Sequence, residues 1–249
     1  MKKILEKCTR DDFNYISNTL DSYLSFTNDK RRKELLEAYE ENPLLHSELV
    51  ALVDSQIKYF GSSDFAYAKR SLINGDGSIS AEEIIEDVCK KLKINIKIGG
   101  SIESTLEKLV MAVVEKELLS KSPEDLSKAF KDMGVGEIDS DDILSHLKKN
   151  GKVAILPIIF QILGPKTALG IVETIIVSII ANIIGREAAK QLVKELLKRN
   201  PWINSLGPFL WVASGLWIVF DLQGPAYRKT VPLCLYLGIV ALRDGEEVI

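Results

Sequence analysis

The sequence predicts an all-α protein, with a multi-helix region over residues 1–150 followed by a strongly apolar helical module over 151–249. Three observations carry that expectation. A hydroxyl residue stands three positions before an acid at Thr9–Asp12, Ser80–Glu83 and Ser122–Asp125. That is the pattern in which the hydroxyl caps a helix start and the acid reaches back to the chain. Leu106, Leu109, Val110, Val113 and Val114 recur at i, i+3, i+4 spacing with Glu and Lys between them, as on an amphipathic helix. No run alternates apolar and polar residues long enough to read as a strand.

Along the chain, MKKILEKCTRDDF carries a basic pair without a long apolar run or a small-residue cleavage site, so it does not read as a signal peptide. SLINGDGSISAEE (71–83) resembles a calcium loop leading into a helix. With Gly77 at its sixth position, Asn74, Asp76 and Glu83 fall where oxygen ligands belong, but Leu72 occupies the first ligand position and offers no side-chain oxygen. The simpler reading has Gly75 and Gly77 making a turn, and Ser80 with Glu83 closing the capping box of a helix that runs to Lys93. Pro123 sits just inside the third capped start, where its missing N–H leaves nothing unpaired. Gly134, Gly136 and Gly151 punctuate the end of the region.

Beyond Gly151 the character changes. VAILPIIFQILG (153–164) is nearly all apolar and contains Pro157; TALGIVETIIVSIIANIIG (167–185) carries one charge, Glu173. REAAKQLVKELLKRN (186–200) is basic and amphipathic, whereas WINSLGPFLWVASGLWIVF (202–220) and TVPLCLYLGIVAL (230–242) are uncharged. Two of these segments approach the roughly 20 residues that a bilayer core needs. Gly170, Thr174, Ser178 and Asn182 recur every four residues and form one small or polar seam, suited to close contact with another helix. Insertion of 167–185 from the cytosol would place the basic segment after it outside, against the bias of cytoplasmic loops toward Lys and Arg. The same helices could instead bury one another as a soluble core, or insert only on a trigger.

Charge and composition exclude some functions. The net charge of −3 divides into −5 over 1–152 and +2 over 153–249, so neither part has the basic excess of a nucleic-acid binder. Three widely separated cysteines read as free thiols of a reducing cytosol. His46 and His146 are the only histidines; Asp142 lies one turn before His146 and reads as its surface partner rather than as part of a metal set. No phosphate loop, dinucleotide fingerprint, nucleophile elbow or zinc-protease motif occurs, so no catalytic residues, metal or cofactor are expected and the chain does not read as an enzyme. Glu173 has two readings. In a bilayer it would handle protons or bind a partner; in a soluble fold it would sit at a helix start beside the positive end of the dipole, and the second is preferred. Asp221 and the Arg228/Lys229 pair flank Gly224–Pro225, an interhelical turn with an ion pair across it.

GPAYRKTVP (224–232), preceded by LGPFLWVASGLWIVFDLQ (206–223), resembles the C-terminal signature of the bacterial YaaW family, in which Tyr227 and Arg228 fall within the motif. KCTRDDFNYI (7–16), YFGSSDFAYAKRSL (59–72) and AEEIIEDVCKKLKIN (81–95) resemble its upstream segments in order, with Ser62 and Ala81 departing from the pattern. The resemblance implies a helical protein grouped with ubiquinol–cytochrome c assembly chaperones, and no catalytic residues to carry over. The functional expectation is a non-enzymatic, cytoplasmic protein at the inner face of the membrane, binding a membrane surface or a protein client. The alternative is a membrane-perturbing effector whose apolar helices insert conditionally.

Overall fold

The computed structural model describes residues 1–21, 29–38, 42–61, 79–132, 136, 140–143, 145, 155–199 and 227–243. Every element among them is a helix, so the fold is all-α. They are α1 (Lys2–Leu5), α2 (Arg10–Leu20), α3 (Asp29–Ala38), α4 (Pro43–Gly61), α5 (Ala81–Leu92), α6 (Ile102–Leu119), α7 (Pro123–Asp132), α8 (Ile155–Ile184), α9 (Arg186–Arg199) and α10 (Tyr227–Arg243).

All three capped starts are present. In α2 the Thr9 side chain accepts from the Asp12 N–H, and the Asp12 carboxylate accepts from the Thr9 N–H at 2.8 Å. Ser80 and Glu83 form the same box at α5, with bonds of 3.1 and 2.8 Å. At α7 the Ser122 hydroxyl accepts the Asp125 N–H at 3.1 Å, with Pro123 at the first helical position. Each cap satisfies at least one N–H group that no helix can pair internally. Helix α5 ends where expected, at Lys93, whose backbone is left-handed with φ 52°. The turn at Gly75 and Gly77, and with it the calcium-loop question, lies outside the described residues.

The chain forms two compact units, one from Met1–Glu107 with Leu222–Ile249 and the other from Lys108–Asp221. In the first unit α10 packs against α1, α2, α4 and α5. Its residues Thr230–Ala241 are all buried. Burying each large aliphatic side chain contributes roughly 1.5–3 kcal/mol relative to leaving it in water, which explains an uncharged segment in a unit with polar surfaces. Residues 230–242 thus belong with the N-terminal helices, not with an apolar module that begins at 151. Hydropathy along a sequence records that a segment is buried, not what buries it. At the end of α4, a Cβ on Gly61 would lie 2.6 Å from the Ile84 side chain, so the missing side chain lets α4 and α5 close on each other.

The second unit holds most of α6, then α7, α8 and α9. Leu109, Val110, Val113 and Val114 are buried, as their spacing predicts. Helix α8 is broken by non-helical backbone at Gly164 (φ 74°, ψ 164°), followed by Pro165. Gly164 accepts the positive φ without a Cβ penalty, and proline disfavours helical backbone before it. Two arms result, Ile155 to Leu163 and Pro165 to Ile184, with Pro157 in the first turn where it breaks no helical bond. The first arm is capped from a distance: the Glu115 carboxylate of α6 accepts the Ile155 and Leu156 N–H groups at 2.6 and 2.9 Å. A carboxylate there meets both the unpaired donors and the positive end of the dipole.

Candidate functional site

The seam predicted on α8 belongs to the second arm. Gly170, Thr174 and Ser178 are buried, and Asn182 is partly buried. The Thr174 hydroxyl donates to the Gly170 carbonyl at 2.7 Å, and the Ser178 hydroxyl to the Thr174 carbonyl at 2.8 Å. Back-bonding of this kind satisfies both hydroxyls within the helix itself. At Thr174 and Ser178 the seam contributes small cross-section, with the hydroxyl protons used within the helix. Glu173 is 8% exposed. It does not occupy a helix start, which corrects the preferred sequence reading. The arm begins at Pro165, more than two turns earlier, and the dipole's influence fades within the first turn. Glu173 takes part in an interaction within the structure.

Of the C-terminal candidates, Asp221, Gly224 and Pro225 lie outside the described residues, as does His146. Tyr227 and Arg228 open α10. The Lys91 ammonium lies 5.0 Å from the Tyr227 ring centroid, and Arg228 is exposed. Lys229 is the tethered residue of the pair. Its ammonium donates to the carbonyls of Leu20 and Asp21 at 2.8 and 2.7 Å and sits 3.9 Å above the Phe60 ring. It thereby closes the negative end of α2. Burial lowers its pKa from the ordinary value.

Two polar clusters of the first unit escaped the sequence reading. Arg32 is fully buried. Its Nε donates to Ser17 Oγ at 2.9 Å; Nη1 donates to Asp29 and Gln56 at 2.8 and 2.6 Å; Nη2 donates to the Ser17 carbonyl and Asp21 at 3.1 and 2.6 Å. A guanidinium has five N–H donors, and these contacts use them all. It is thus a strut holding α2, α3 and α4, with no donor left for a ligand. The second cluster is centred on Asp12. Its Oδ1 accepts the Tyr236 hydroxyl at 2.5 Å and Arg243 Nη1 at 3.0 Å, while Oδ2 serves the capping box. Tyr236 stands 224 residues further along the chain. Only the capping half of this role was legible, through the spacing from Thr9.

The three cysteines are subdued by burial. Cys8, Cys89 and Cys234 are free and buried. Burial, aided by the charge of Glu86, pushes the Cys89 thiol up to about 11, and burial pushes Cys234 up to about 12. Thiols so shifted carry little thiolate at neutral pH and are weak nucleophiles. His46 meets the Phe13 ring edge-on, with centroids 5.9 Å apart. Among the described residues no three His, Cys, Asp or Glu side chains are grouped to hold a metal ion.

Two relatives from Helicobacter pylori, each named UPF0174 protein, are similar over most of their length. The strain J99 protein is 25% identical over 224 residues, covering 88% of this chain and 82% of the relative. The strain 26695 protein is 24% identical over 192 residues, covering 77% of this chain and 87% of the relative. No protein-family model and no solved structure matches. The resemblance to the YaaW family is thereby overturned, since the similarity found is to UPF0174 proteins and nothing in it shows a YaaW family. The physical reason lies in the motif used. The most specific part of that motif, Tyr227–Pro232, is the first part of a largely buried helix, so apolar burial alone accounts for much of its composition.

Proposed function

We propose that this chain is a non-enzymatic helical protein that associates with a membrane surface through its second unit, at the inner face of the cytoplasmic membrane. The observation supporting this is the second arm of α8. Among the described residues, α8 alone is long and apolar enough to cross a bilayer by length and composition, and it carries the seam Gly170–Thr174–Ser178 that suits close helix packing. A reading in which this arm, once uncovered, binds an apolar protein client rests on the same residues.

A second reading is favoured by one further observation. In its most apolar stretch, 72% of α8 is buried within the structure. A helix so covered would meet lipid only after release, which is the behaviour of a conditionally inserting, membrane-perturbing effector. Glu173 would then move from a protein interior to a bilayer, where a carboxylate is costly unless protonated or paired.

Flotation of the full-length protein with dye-filled vesicles, at neutral and acidic pH, tests both. Stable association at neutral pH without leakage supports the first reading. Leakage confined to acidic pH, and lost in Ile176→Asp variants that keep native helicity, supports the second. Recovery of all the protein in the vesicle-free fraction at both pH values, with no leakage, overturns both.

A further inference from the structure

We infer that the exposed face of α9, carrying Lys190, Lys194 and Lys198, is a docking surface for an anionic phospholipid bilayer. The inference deepens the membrane reading above and rests on it, because it assigns the lipid chemistry that the second unit would recognise. Helix α9 is amphipathic in the sense that matters. Ala189, Leu192 and Leu196 are buried on one side, and α9 packs against α8. Lys190, Lys194 and Lys198 are exposed on the other, each one turn beyond the last. At 1.5 Å per residue the outer two stand about 12 Å apart along the axis, a straight cationic edge rather than a point.

Charge complementarity names the occupant. The α9 segment holds five Lys or Arg against two Glu, in a chain whose net charge is −3. That element is thus locally basic within a chain that is acidic as a whole. The apolar face of α9 is already used, so the helix would not insert; it would lie on the headgroups and be held by Coulomb attraction alone. Continuity with α8 argues for a bilayer over other polyanions. Gly185, exposed with φ 91° and with space around its missing Cβ, is the single residue joining α9 to the helix long and apolar enough to span. A surface that rests on headgroups therefore begins where that helix ends. Lys190 and Lys198 also take part in interactions within the structure. Contacts of exposed lysines are weak enough to exchange for lipid phosphate.

The test is co-sedimentation of the full-length protein with vesicles of phosphatidylcholine alone and of phosphatidylcholine mixed with phosphatidylglycerol, at low and high salt. Each lysine near an anionic surface strengthens binding on the order of 5-fold. The combined Lys190→Gln, Lys194→Gln, Lys198→Gln variant should therefore bind the anionic vesicles on the order of 100-fold more weakly. Lys2→Gln, Lys3→Gln and Lys97→Gln together, exposed lysines elsewhere, should change binding little. Circular dichroism and urea midpoints confirm that both variants fold. Equal binding of the native protein to neutral and anionic vesicles, untouched by the lysine changes, overturns the inference and leaves the membrane reading standing. Binding to neither overturns both. Duplex DNA bound through the same three lysines, with no vesicle binding, reassigns the face to nucleic acid and overturns the lipid proposal. Anionic binding that depends on the lysines, yet is unaffected by Ile176→Asp, sustains the docking face while removing α8 from it.

Discussion

Arg32 shows what a single residue can decide in this protein. A buried guanidinium is tolerated because every N–H has an acceptor, two of them the carboxylates of Asp21 and Asp29. Replacing it by methionine keeps much of the volume but strands those acceptors beside an apolar side chain. Breaking a buried ion pair from one side typically costs about 3–5 kcal/mol. Asp21 is partly exposed, with 38% of its side-chain surface accessible, so water recovers some of that loss and the lower end, about 3 kcal/mol, is expected for Arg32→Met. Urea denaturation with an unchanged m-value checks this; a loss under about 0.5 kcal/mol would show that the cluster is not the strut described. Helical spacing puts Arg32 on the face of Leu35 and Leu36, unlike its exposed neighbours Lys30, Arg31 and Lys33, but does not reveal its polar partners. Those partners come from three helices, and only their packing brings them to the guanidinium.

At the scale of elements, helix boundaries were the most legible feature, because a cap is a local bond pattern written within four residues. Thr9–Asp12, Ser80–Glu83 and Ser122–Asp125 all formed as their spacing predicts. The α5 terminus offers a test. Lys93 holds the left-handed conformation with φ 52°, and its N–H bonds back to the Cys89 and Lys90 carbonyls. A non-glycine residue there bears a steric penalty that glycine lacks. Lys93→Gly should stabilise the protein by about 0.5–1 kcal/mol, a gain of a few degrees in thermal midpoint; a lower midpoint would mean that the lysine side chain contributes more than its backbone costs. Distant caps were not legible. Glu115 reaches the start of α8 across 40 positions of chain, and no spacing rule joins them. Glu173 failed for a related reason: its place relative to a helix start depended on where the chain would break, which the Gly164–Pro165 step decided.

At the scale of the whole molecule, the thiols of the first unit report on its integrity. Cys8, Cys89 and Cys234 come from separate stretches of chain yet are all buried. At pH 8 a thiol reagent should label none of them in the native protein and all three in denaturant; rapid native labelling would contradict the packing of α10. Their pKa values are raised by folding, so their contribution to stability is fully present below the unfolded value of 9.0 and is lost as pH rises through about 11 and about 12. Urea midpoints should therefore decline above pH 9, and less steeply in a Cys234→Ala variant.

The sequence by itself determined the all-α class, the main capped helix starts, the amphipathic face of α6 and the apolarity of α8 and α10, because each depends on residues within a few turns of one another. Tertiary structure alone decided that α10 is the core of the first unit rather than part of an apolar C-terminal module, that Asp12 joins Tyr236 and Arg243, and that Arg32 meets its polar partners. Those outcomes depend on which surfaces meet. Burial is a property of a pair of surfaces, and a linear pattern specifies only one member of the pair.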